Sequence, residues 1–221
     1  MISILTVDGP SGVGKGTVAR IVAQKQGWHL LDSGAIYRAF ALAVDARGID
    51  IKDESALEYV AKNLDLEFKT EADNELVSVY LDGNEVSNIL RTEQTGEMAS
   101  KIASIGVVRA ALLQRQQGFA KPPGLVADGR DMGTVVFADA PFKVFLTANA
   151  QERANRRLKQ LQNQGSEGII SKILAEVVAR DDRDSSRKHS PLKPAEDALV
   201  IDTTELSIDE VVTQVMTLIE A

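Results

Sequence analysis

GPSGVGKGT, residues 9–17, follows directly on the apolar run ISILTVD. Glycine inside a regular element costs about 1 kcal/mol relative to alanine. Four glycines at this point mean that the backbone itself is needed bare. Ile2 to Val7 is short, β-branched and bounded by Asp8-Gly9-Pro10, so it reads as a buried parallel strand. A helix is expected from Lys15 to Gln26, stopped by Gly27. Between strand and helix, backbone N–H groups can turn inward around an anion, and the helix N-terminus favours negative charge. The loop Gly9, Pro10, Ser11, Gly12, Val13, Gly14, Lys15, Gly16, Thr17 therefore reads as a cradle for nucleotide phosphates. Lys15 can reach the β- and γ-phosphates, and the Thr17 hydroxyl can stand near a metal. The common pattern puts Ser or Thr directly after the lysine; here Gly16 intervenes.

Outward from the loop the same rhythm continues. WHLL (28–31) is a second short strand, Asp32-Ser33 can cap a helix of Ala35 to Ala46, and LVAD (125–128), VFLTA (144–148) and ALVIDT (198–203) are further buried strands. Alternating strands and helices predict a parallel α/β sheet. The rhythm breaks at about 64–87, where LDLEFK and LVSVYL alternate apolar and polar residues around an Asp82-Gly83 turn signal; this predicts a small antiparallel insert. Helices are expected at 92–104, 107–119, from Asn149 through Leu161, at 167–187, and in SIDEVVTQVMTLI, where Ser207 and Glu210 form a capping box.

Composition sets bounds. The 221 residues are 44% hydrophobic and 26% charged, with a net charge of −7, as in an ordinary globular protein. A general nucleic-acid or anionic-membrane binder is usually basic, so neither partner is expected, and phosphate chemistry must use local arginines. There are no cysteines, and His29 and His189 stand alone, which excludes disulfides and argues against a structural zinc site. No apolar run reaches the length of a membrane span, and the cytoplasm is the expected location.

Four motifs, GPSGVGKGT, LLDSGAIYR (30–38), ADGRDMGTVVFADA (127–140) and RDDRD (180–184), resemble the bacterial cytidylate kinases in order and across essentially the whole chain. The GKGT ending is itself similar to that of nucleoside monophosphate kinases. The resemblance implies a three-layer α/β/α phosphate-loop fold with a parallel central sheet, an antiparallel insert in the acceptor-binding domain, and a helical lid. The corresponding domains are a core of 1–33, 105–150 and 188–221, an acceptor domain of 34–104, and a lid of 151–187. It also implies a monomer that uses ATP and Mg²⁺ to phosphorylate CMP and dCMP.

The residues qualify that picture. Ser33 and Arg38 are implied to grip the acceptor phosphate, although Arg38 on an apolar helix also suits a snorkelling surface residue. Asp128 ends a strand where a carboxylate could organise Mg²⁺ with Thr17. Arg130 and Asp131 leave the same turn; a surface ion pair is the plain alternative. The resemblance assigns reading of cytosine to Ser100, Arg109 and Asp131, with a carboxylate facing the amino group. The helix ending in RDDRDSSR carries a signal of its own, independent of resemblance. The apolar stripe Ile170, Ile173, Val177, Val178 runs on at helical spacing to Arg180, Asp184 and Arg187. These charges must be paired in the interior or line a cleft, and the cleft is preferred because buried pairing is costly. By resemblance Arg180 and Asp184 meet the sugar and Arg187 the phosphate of CMP. Arg153 and Arg157, one turn apart, could clamp the transferring phosphoryl with Lys15, Arg130 and Asp128, or could be an exposed basic face. Rival readings are a phosphate-loop kinase for UMP, for both pyrimidines or for a small hydroxy-acid, and a GTP-hydrolysing switch; the latter would want a guanine-reading NKxD, which is absent.

Overall fold

A computed structural model describes residues 2–69, 78–163, 165 and 167–220. It divides into two compact units, 1–32 with 117–221, and 33–116.

The first unit holds a five-stranded parallel sheet. Its strands are β1 (Ser3–Asp8), β2 (His29–Asp32), β6 (Gly124–Asp128), β7 (Phe142–Thr147) and β8 (Leu199–Asp202), in the order β2-β6-β1-β7-β8. β1 is central, with Leu5 opposite Val126 on one side and Phe142 on the other. Buried strands read as continuous apolar runs, as ILTV and LVA do. Leu5, Val7, Val126, Val144, Leu146 and Ile201 form the core with α1 (Lys15–Gln26) and α9 (Ile208–Glu220). Ser207 and Glu210 cap α9 reciprocally: the Ser207 N–H donates to Glu210 Oε2 at 2.8 Å, and the Glu210 N–H to Ser207 Oγ at 3.3 Å. The placement of β6 between β1 and β2 brings the ends of three strands, and the loops that follow them, to one edge, where parallel sheets bind ligands. Also in this unit are α7 (Ala150–Asn163) and α8 (Ile170–Ser185), which pack on each other.

The second unit contains α2 (Ser33–Ala46), α3 (Glu54–Lys62), α4 (Ser87–Leu90), α5 (Glu93–Ile102) and α6 (Gly106–Gln117, whose last residue falls in the first unit). It also holds an antiparallel sheet of β3 (Leu66–Lys69), β4 (Ser78–Leu81) and β5 (Asn84–Glu85). The expected insert is therefore present, although residues 70–77 of it lie outside the described residues. Asp82 and Gly83, both at positive φ, make the turn from β4 to β5, as their sequence predicts. α3 and α4 are additions to the sequence reading. Asp53 caps α3 by accepting the Ala56 N–H at 3.0 Å.

Candidate active site

The phosphate loop leaves β1 through glycines whose backbone no other residue fits. A Cβ on Gly9 would lie 2.1 Å from the Leu146 carbonyl oxygen of β7, so the loop starts pressed against the neighbouring strand. Gly14, at φ 94, turns the chain into α1. Gly16 is different: a Cβ there would meet Asp128 Oδ2 at 3.4 Å, an ordinary contact, and its φ is not positive. Gly16→Ala should therefore fold normally and raise the melting temperature by about 2 °C, as glycine-to-alanine does at permissive helical sites; thermal denaturation checks it.

Lys15 is buried, and its Nζ donates to the Pro10 carbonyl at 2.7 Å. Burial, reinforced by Arg130 and Arg180, lowers its pKa to about 7, against the opposing pull of Asp128 and Asp8. Asp8, the last residue of β1, is buried as well. Burial raises its pKa to about 7 although the N–H groups of Gly133 and Met132 favour its ionised form.

The turn after β6 carries Arg130 and Asp131 into a π-helical turn, Met132–Val136. Asp131 is buried. Arg130 Nε donates to Asp184 Oδ2 at 3.0 Å, and Arg187 also donates to Asp184. Asp184 is 1% exposed. Burial pushes its carboxyl up, but Arg130, Arg187 and Arg180 outweigh burial and hold it below the ordinary carboxylate range. The stripe from α8 thus ends in an interior ion cluster. Of the two expectations for these charges, pairing is seen at Asp184 with Arg187 and Arg130, and Arg180, half-buried, acts on the same carboxyl. What makes burial tolerable is that one carboxylate meets several guanidinium groups at once.

Arg153 is also buried rather than part of an exposed face. It donates to the Ala148 carbonyl at 3.1 Å and to the Ser11 carbonyl at 3.3 Å, and it forms a two-pronged pair with Asp181. Arg157, one turn on, donates to Gln160 Oε1 at 2.7 Å. Arg156, between them on the same basic helix, pins α7 to the segment after β8 through Thr203. The Thr203 hydroxyl in turn donates to the Val13 carbonyl at 3.2 Å. Two carbonyls of the phosphate loop are therefore held by groups tied to α7, an arrangement that no local pattern announces.

In the second unit, Ser33 Oγ donates to Gln116 Oε1 at 2.7 Å, and both side chains are buried. Arg38 is half-buried on α2. The Arg109 guanidinium lies 5.5 Å from the Tyr37 ring centroid and donates to the Ala103 carbonyl at 3.1 Å. Ser100 is buried on α5.

The family described as cytidylate kinase matches residues 5–221. A cytidylate kinase of Aliivibrio salmonicida is 56% identical over 218 residues, 99% of this chain and 96% of the relative. One of Photobacterium profundum is 55% identical over 98% and 94%, and one of Azotobacter vinelandii 53% identical over 99% and 95%. This chain belongs to the cytidylate kinase family. Within the family frame, the donors beside the loop suit a hard cation. Asp128 Oδ2 stands next to Gly16, and Thr17 beside it offers an exposed hydroxyl, so both donors are oxygen. Among the described residues no group of three or more His, Asp or Glu converges as a metal site, so phosphate and water oxygens must complete any such shell. No helix among the described residues is long and apolar enough to cross a membrane.

Proposed function

We propose that this cytidylate kinase family member transfers the γ-phosphoryl of ATP to CMP and dCMP, giving ADP with CDP or dCDP. The observation that carries the reading is the family match over residues 5–221. The buried Lys15 beneath a bare backbone loop supports it. Gly9 to Thr17 would bind the ATP phosphates. An oxygen of the CMP phosphate attacks the γ-phosphorus in line, the bond from that phosphorus to the β–γ bridging oxygen breaks, and ADP leaves. Lys15 exchanges the Pro10 carbonyl for a phosphate oxygen. Arg130, Arg153 and Arg157 answer the spreading negative charge, and for Arg153 this requires release from Asp181. Mg²⁺ held by Thr17 and Asp128 would neutralise phosphate charge.

On the acceptor side, Arg180 and Asp184 are assigned to the sugar of CMP and Arg187 to its phosphate. Asp131 faces the amino group of cytosine. Ser33 and Arg38 are assigned to the phosphate, and Ser100 and Arg109 to the base. Uracil would set a carbonyl against the Asp131 carboxylate and leave buried polar groups unpaired, at about 1–3 kcal/mol per group. The test is ADP release from ATP over CMP, dCMP, UMP, AMP and GMP. The reading expects CMP and dCMP to be turned over at least tenfold more efficiently than UMP. UMP ahead of CMP, or hydroxy-acid turnover without CMP turnover, would reject it; ATP binding with no acceptor-dependent ADP would point to a switch.

A further inference from the structure

We infer that Asp8, at the base of the phosphate loop, is a positioning residue for the acceptor base, acting by clamping the turn that carries Arg130 and Asp131. The inference rests on the CMP reading above. Asp8 is the last residue of β1 and is 4% exposed. Its Oδ1 accepts the Met132 N–H at 2.8 Å and its Oδ2 accepts the Gly133 N–H at 2.7 Å. Those amides open the π-helical turn, where first-turn N–H groups have no acceptor within the helix. Two oxygens on two successive amides fix the turn in orientation as well as position, which a single bond does not.

The turn has little slack. A Cβ on Gly133 would lie 2.7 Å from Thr6 Oγ1 and 3.4 Å from Asp8 Oδ2, so it rests directly on β1. Asp131 comes immediately before the clamped pair, and its own carbonyl accepts the N–H groups of Val135 and Val136 at 2.9 and 3.1 Å. The backbone of the proposed cytosine reader is thus held downstream by its own helix and, through Met132 and Gly133, by Asp8. A carboxylate tells an amino group from a carbonyl only if it cannot swing aside. Asp8 supplies that constraint.

A merely stabilising carboxylate would behave differently. Its loss would lower turnover of every acceptor by one common factor. Loss of positioning narrows the preference for CMP over UMP. The experiment measures kcat/KM for CMP and UMP, and KM for ATP, in the full chain and in Asp8→Asn, which keeps the shape and one acceptor oxygen but turns an amide NH₂ toward one of the two donors. The expected result is a CMP/UMP ratio reduced about tenfold, as for one hydrogen bond to a charged group, with KM for ATP within about twofold. Gly133→Ala, whose added methyl would press on Thr6 and push the same turn off β1, should narrow the ratio in the same direction.

Amide hydrogen exchange on the unaltered protein keeps the inference open to refutation should both variants misfold: Met132 and Gly133 should be among the slowly exchanging amides. Exchange as fast as in an exposed loop overturns the clamp, and equal losses for CMP and UMP overturn the positioning role. An unaltered protein that phosphorylates no CMP sinks the functional reading instead, and that result is seen before any variant is made.

Discussion

Lys15→Met should lower kcat with CMP by about 10²–10³-fold, the usual effect of removing one charge donor from a developing oxyanion, while leaving the fold intact. Methionine keeps the apolar stem of a side chain that is 7% exposed and discards only the ammonium. Stability should change in a way that identifies the ammonium as the cause. The folded pKa of about 7 lies below the ordinary 10.5, because burial and the neighbouring Arg130 disfavour the charge. Between those values the unfolded chain binds more protons than the folded one, so this lysine makes the protein more stable as pH rises from about 7 to 10.5. Lys15→Met removes that contribution, and melting curves across the window should flatten relative to the parent. Asp8 acts with the opposite sign in a different window. Its folded pKa of about 7 exceeds 3.8, so its contribution is full below 3.8 and is lost as pH rises toward 7. The two effects do not overlap, and the slope above pH 7 reports Lys15. Near-normal turnover in a folded Lys15→Met would reject the proposed chemistry.

How much of this was legible in the sequence depends on how local each feature is. β1, the loop and α1 occupy residues 3–26, and their signals, a β-branched run, glycines at fixed spacing and a stop glycine, all lie within that window. The α8 stripe was legible for the same reason, since helical spacing alone brings Arg180, Asp184 and Arg187 to one side. The burial of Asp184 was not, because it depends on Arg130, fifty-four residues away in sequence. The pairing of Arg153 with Asp181 across two helices is non-local too, and it replaces the exposed basic face that periodicity alone allows. Strand order was hidden as well: nothing in LVAD states that it enters between β1 and β2. The π-helical turn has no distinguishing period in five residues. Asp8 carried a weak signal, a carboxylate ending an apolar strand directly before glycine, and it reads as a turn marker until its two amide partners are seen.

Asp184→Ala should be the most destabilising of these substitutions, because it removes the shared counter-ion from a cluster of guanidinium groups. The side chains of Asp184, Arg187 and Arg130 are 1%, 5% and 19% exposed. Breaking a buried pair by deleting one partner costs about 3–5 kcal/mol, and a chain of this length loses about 2–4 °C of melting temperature per kcal/mol, so a fall of about 10 °C is expected. Two controls separate lost charge from lost volume. Inorganic phosphate should raise the melting temperature of Asp184→Ala more than that of the parent, since an anion can replace the missing carboxylate among the arginines. The destabilisation should also shrink in acid. The carboxyl is held below 3.8 in the folded protein, so its stabilising contribution is full above 3.8 and disappears as pH falls through the lower folded value. CMP-dependent turnover should fall with it, because Arg130 and Arg187 lose the carboxylate that aims them. A melting temperature within about 2 °C of the parent at neutral pH, with no extra response to phosphate, would show that the arginines carry no net burden without Asp184 and that the cluster does not organise the acceptor side.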